Sequence, residues 1–180
     1  MLNQFEQVEK ILFIPVNKNY PKKGLLDNKH RYNMLKLVAN KNKDFIISDM
    51  DFYGTKSLPT IETLEEAQKQ FSNNEIWYIL GSDNLRDLHR WDRAEDLVSK
   101  YKILVMEREN DKMEEIIQSN SLLNSHKENF IKLNQEIRSI YSSTYVRAQI
   151  KNGKSVRYLL PDEVLEYIEQ NNLYKEEPND

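Results

Sequence analysis

Four short apolar runs interrupt an otherwise polar chain, at residues 11–16 (ILFIPV), 44–48 (DFIIS), 75–80 (EIWYIL) and 102–106 (KILVM). Each is rich in β-branched or aromatic residues and lacks clean period-two alternation, the pattern of a parallel strand covered on both faces. The segments between them repeat at helical spacing. Tyr32, Leu35, Val38 and Ala39 share one face over residues 29–39, and residues 60–71 open at Thr60 with Glu62 and Thr63 in the first turn. Strands alternating with helices of this length predict an α/β fold with a doubly wound parallel sheet.

Beyond the fourth run, residues 110–139 are polar and carry Ile116, Ile117, Leu122, Leu123, Phe130, Leu133 and Ile137. That spacing predicts one or two surface helices and no new domain. A further helix is expected over residues 145–150, with Ser142, Ser143 and Thr144 supplying N-cap hydroxyls and Gly153 in the C′ position. Pro161 stands where a first-turn proline belongs, so residues 162–170 read as the last helix. The tail, residues 175–180, is charged and expected to fray. Residues 1–174 thus read as a single domain with no repeat or linker.

Composition narrows the chemistry. The 26 basic and 29 acidic residues give a formal charge of −3, mixed along 180 residues, so no one-sided field points to nucleic acid. Without cysteine, disulfides, thiolate nucleophiles and Cys-ligated zinc drop out. His30, His89 and His126 are too dispersed to suggest a metal pair, and no metal-binding residues are expected. No apolar run approaches the length of a membrane span and the N-terminus lacks a signal pattern, so a cytoplasmic protein without a membrane partner is expected.

Three places could carry chemistry. Gly81-Ser82-Asp83-Asn84 follows the third strand directly. A glycine there lets a ligand approach the backbone, and Asp83 can accept from a ribose or a ring amine; the alternative is a strand-to-helix turn capped by Asp83 or Asn84. Trp91 follows shortly, either as a stacking face for a planar ring or as a core tryptophan. Arg93 reads as a solvated charge. Ser142, Ser143 and Thr144, with Arg147 one turn on, form either an anion site at a helix N-terminus or a simple cap. Lys22, Lys23, His30 and Arg31 add a basic cluster that would suit phosphate or simply be solvated.

Taken in order, His30–Asn42 (HRYNMLKLVANKN), Gly81–Trp91 (GSDNLRDLHRW) and Ser142–Tyr174 (SSTYVRAQIKNGKSVRYLLPDEVLEYIEQNNLY) resemble the bacterial nicotinate-nucleotide adenylyltransferases. The resemblance runs from about Phe5 to Tyr174. It implies a Rossmann-like nucleotidyltransferase of NAD biosynthesis that joins ATP, with Mg2+, to nicotinate mononucleotide and releases pyrophosphate. In that reading Ser142, Ser143, Thr144 and Arg147 hold the ATP phosphates, and Gly81 and Asp83 contact the nucleotide. Trp91 stacks on the pyridine ring, Thr60 lies near the nicotinate carboxylate, and Lys22 and Arg31 help bind substrate. Two departures stand out: Pro59 replaces the tyrosine usual before the threonine, and Pro21-Lys22-Lys23 replaces a proline-histidine-lysine segment.

Members of that family begin with a strand and a glycine-rich turn, GGSFDPxHxGH, whose two histidines stabilise charge on the transferred phosphoryl group. Residues 1–9 match the helix after that turn, so the first strand and the catalytic histidines are expected to be missing. The family places that strand centrally, where its loss removes a ladder partner from two neighbours. A reading frame that starts too late, or a fragment, is therefore expected. The alternatives are a nucleotide-binding module without catalysis and an adenylyltransferase for another phosphate ester; a homo-oligomer is compatible with each.

Overall fold

The structure is a computed structural model that describes residues 8–22, 24–108, 111–133 and 142–175. All four apolar runs form strands, and every pairing is parallel. The chain divides into two compact units, residues 58–136 and residues 2–57 with 137–180. Its sheets likewise come as a two-stranded and a three-stranded ladder.

In the first unit, β3 (Trp77–Gly81), β4 (Lys102–Met106) and β5 (Phe130–Lys132) lie in the order β3-β4-β5. The middle strand is flanked on both edges, and its Ile103, Leu104 and Val105 are almost wholly buried. An unbroken apolar run is what such a position requires. Around the sheet lie α2 (Thr60–Gln70), α3 (Ser82–Asp87), α4 (Ala94–Lys100), α5 (Met113–Gln118) and α6 (Ser121–Ser125). Their apolar faces put Ile61, Leu64, Leu85, Leu97, Ile117 and Leu123 into one core with β3 and β4. At roughly 2 kcal/mol for each large aliphatic side chain removed from water, this core is the main stabilising element of the unit.

In the second unit, β1 (Ile11–Phe13) pairs with β2 (Phe45–Ile47), and Phe13 meets Phe45 edge to face at 5.2 Å. α1 (Asn28–Ala39) packs against α8 (Asp162–Gln170), burying Val164, Ile168 and Leu173 with Met34, Val38 and Ile150 of α7 (Ser143–Lys151) around them. The Tyr167 hydroxyl accepts from Asn33 Nδ2 at 3.0 Å and lies 3.0 Å from His30 Nδ1, which ties α1 to α8. His30 is thus part of the packing between these helices.

Several boundaries shift. Residues 110–139 do yield two helices, α5 and α6, but Phe130, Ile131 and Lys132 add a fifth strand paired to Ile103–Val105. Phe130 and Leu133 share helical spacing, and only the neighbouring edge of β4 makes the extended form the better one. Ile137 lies outside the described residues. Pro161 is the N-cap of α8 and not its first helical residue, which costs nothing because neither position needs its N–H. Gly153 takes the expected C′ place at φ +67°, a conformation that side chains with a Cβ rarely adopt. No helix among the described residues is long and apolar enough to cross a membrane.

Candidate nucleotide-binding site

The carboxyl ends of β3 and β4 lie side by side, with Gly81 opposite Met106. From β3 the chain turns straight into α3, so Gly81 itself is the N-cap, and no side chain closes the helix end. Neither Asp83 nor Asn84 caps, contrary to the plain-turn alternative. Ser82 is wholly buried, and its hydroxyl accepts the backbone N–H of Arg108 at 2.9 Å. That bond fixes the end of β4 to the start of α3.

The Arg108 guanidinium then reaches the Asp83 carboxylate, Nη1 to Oδ2 at 3.3 Å. A Cβ on Gly81 would sit 2.3 Å from Asp83 Oδ1 and 3.0 Å from Arg108 Nε. The open space above the glycine is therefore used by two side chains of the protein. Arg108 was not legible as a site residue, because in Glu107-Arg108-Glu109 it reads as surface charge. Beside it, the Glu107 carboxylate is buried, accepts the Met113 N–H at 2.9 Å and pairs with Lys132 at 2.9 Å. Burial pushes that carboxyl up, but the Met113 N–H and the Lys132 ammonium outweigh it and hold the group below its usual range.

Trp91 is partly buried, packs on the core of the first unit and meets Tyr78 of β3 edge to face at 6.4 Å. Thr60 is the first residue of α2 and partly buried. Arg93 is more than a solvated charge: in a left-handed conformation at φ 50°, it forks onto Glu65 at 2.7 and 2.9 Å and also reaches Asp96. A separate cavity of about 450 Å³ is lined by Arg86, His89, Glu115, Ile116, Ser119 and Asn120, none of them an expected site residue. The Nδ1 of His89 is buried without a hydrogen-bond partner among the described residues.

In the second unit, α7 starts two residues before the expected Tyr145, with Ser142 as its N-cap and Ser143 and Thr144 already helical. The Ser142 hydroxyl accepts the Tyr145 N–H at 3.1 Å, and Arg147 Nη2 donates to Thr144 Oγ1 at 3.2 Å. Ser142, Ser143 and Thr144 are exposed, so the remaining N–H groups of the first turn are accessible to an anion. Arg31 is more constrained than its place in a basic cluster suggests. Its Nε donates to Leu26 O at 2.9 Å, its Nη2 to Asn28 Oδ1 at 2.6 Å, and its fork lies 5.8 Å from the Phe52 ring centre. Burial pushes the partly buried Tyr174 hydroxyl up, against the electrostatic pull of Arg147 and Arg31. Lys22 is exposed in the turn after β1, and Lys23 and Tyr141 lie outside the described residues.

A glycine turn at the carboxyl edge of parallel strands with an acid two residues on, in the first unit, and a hydroxyl-rich helix start, in the second, are each features found in nucleotide-binding α/β proteins. The comparisons give the family: the cytidylyltransferase-like model matches residues 1–149, and the chain belongs to that family. Among its relatives is a "probable nicotinate-nucleotide adenylyltransferase" of Lachnoclostridium phytofermentans, 31% identical over 93% of this chain and 84% of the relative. One of the same name from Flavobacterium johnsoniae is 34% identical over 96% and 86%. The fold is shared with the nicotinic acid mononucleotide adenylyltransferase of Plasmodium falciparum complexed with NaAD, at a TM-score of 0.77, 20% identity, and coverage of 97% and 86%.

Proposed function

We propose that the protein is a nicotinate-nucleotide adenylyltransferase of NAD biosynthesis, which transfers the adenylyl group of ATP to nicotinate mononucleotide. The observation that carries this reading is the match to relatives of that name over more than nine-tenths of the chain. In the reaction a phosphate oxygen of the mononucleotide attacks the α-phosphorus of ATP. The new P–O–P bond forms as the bond to the departing pyrophosphate breaks.

Each unit has residues suited to part of this task. The N-terminus of α7, with Ser142, Ser143, Thr144 and Arg147, offers N–H donors, hydroxyls and a guanidinium to the ATP phosphates. Asp83 beside Gly81 accepts from nucleotide hydroxyls, Trp91 provides an aromatic face for the pyridine ring, and Thr60 lies near its carboxylate. Lys22 contributes an exposed cation, and Arg31, whose Nε and Nη2 each make a hydrogen bond, contributes positive potential. No group of three or more His, Asp or Glu residues among the described residues would hold a metal ion. Magnesium enters with the ATP phosphates, as part of the substrate.

The test is pyrophosphate release from the 180-residue chain with ATP, magnesium and nicotinate mononucleotide, with nicotinamide mononucleotide and phosphopantetheine as comparison substrates. Turnover with nicotinate mononucleotide as the best substrate supports the reading, and means that other groups of this chain do the work of the family's two turn histidines. A melting temperature that ATP raises with no turnover for any substrate would replace the reading by a nucleotide-binding module, because a ligand at 100 times its Kd adds about 2.7 kcal/mol to the folded state. Preference for phosphopantetheine would reassign the substrate.

A further inference from the structure

We propose that Arg108 is a positioning residue of the nucleotide site, holding the Asp83 carboxylate over the bare Cα of Gly81 in the orientation that accepts a ribose diol. This rests on the reading above and adds to it a residue that the sequence motifs do not contain.

The placement of Arg108 is fixed at its root. Its N–H is bound by the buried Ser82 hydroxyl, so the start of its side chain cannot drift relative to the Gly81 turn. From there the guanidinium takes Oδ2 of Asp83, while Oδ1 has no hydrogen-bond donor among the described residues. A carboxylate held by one oxygen and open at the other is set to receive a hydroxyl without first losing rotational freedom.

Gly81 completes the device. Its φ of −81° and ψ of 156° suit any residue, so the backbone does not call for glycine. A methyl group there would lie 2.3 Å from Oδ1 and would displace the two side chains from this arrangement. The pair is a poor candidate for a stabilising contact, because the Asp83 and Arg108 side chains are 53% and 62% exposed. Its geometry therefore has little to do with holding the fold together.

Titration calorimetry with ATP, and separately with nicotinate mononucleotide, on the 180-residue chain tests the assignment. Arg108→Ala and Gly81→Ala should each weaken one of the two nucleotides about tenfold, the effect of disordering a charge-assisted hydrogen bond partly open to water. Arg108→Lys should recover much of the loss. In an Asp83→Asn background Arg108→Ala should have no further effect, and the melting temperatures of all variants should stay near that of the parent. An unchanged affinity for both nucleotides in Arg108→Ala overturns the assignment while leaving the proposed function standing. So does an equal loss in the Asp83→Asn background, which would mean that Arg108 acts on the ligand directly. Failure of the parent chain to bind either nucleotide overturns both.

Discussion

Ser142 shows how one side chain can serve the fold before it serves a ligand. Its hydroxyl closes the first turn of α7 on the Tyr145 N–H. Ser142→Ala should cost about 1 kcal/mol, and Ser142→Gly only a few tenths, read from the midpoints of urea unfolding. A cap in this stretch was legible because a hydroxyl before an amphipathic run can take a free N–H of the first turn, but which of Ser142, Ser143 and Thr144 does so was not. The same does not hold for Arg108. Nothing in its own neighbourhood sets it apart, and its function depends on the register that puts Gly81 opposite Met106.

At the scale of elements, the end of β4 is joined to β5 and α5 through one carboxylate. Glu107 takes the N–H of Met113 at the head of α5 and the ammonium of Lys132 in β5. Glu107→Gln keeps an acceptor for Met113 but removes the charge that Glu107 sets against Lys132. We expect a loss of about 1–2 kcal/mol in chemical unfolding, less than for a fully buried pair because the Lys132 side chain remains partly exposed. An unchanged midpoint would mean that α5 and β5 are held by their apolar residues alone. The helices α1, α2, α7 and α8 could be read from periodicity, whereas the short α3, α4 and β5 could not. Helices of six or seven residues complete barely two turns, and a three-residue strand has no period to detect.

For the whole molecule, acid should be destabilising in a defined window. Arg93, with help from Lys100, holds the Glu65 carboxyl down at about 2. Glu107 is also held below its usual range. A carboxyl whose folded-state value is depressed contributes stability above its unfolded value, near 4.3, and loses that contribution as pH falls through the folded value. The melting temperature should therefore drop between about pH 4.5 and pH 2. The drop should be shallower in Glu65→Gln, as scanning calorimetry across that range would show.

Local order along this chain was determined by the sequence itself. Apolar runs of five or six residues, capping hydroxyls and a glycine past a helix end act over a few neighbours, and they specified the parallel α/β class, the main helices and the Gly81 and Ser142 turns. What only the tertiary structure decided is which distant residues share a site: Arg108 with Asp83, Arg93 with Glu65, and Arg31 with Phe52. It also decided that residues 130–132 extend along β4. These outcomes depend on strand register and packing, which bring together residues tens of positions apart and carry no local periodic signal.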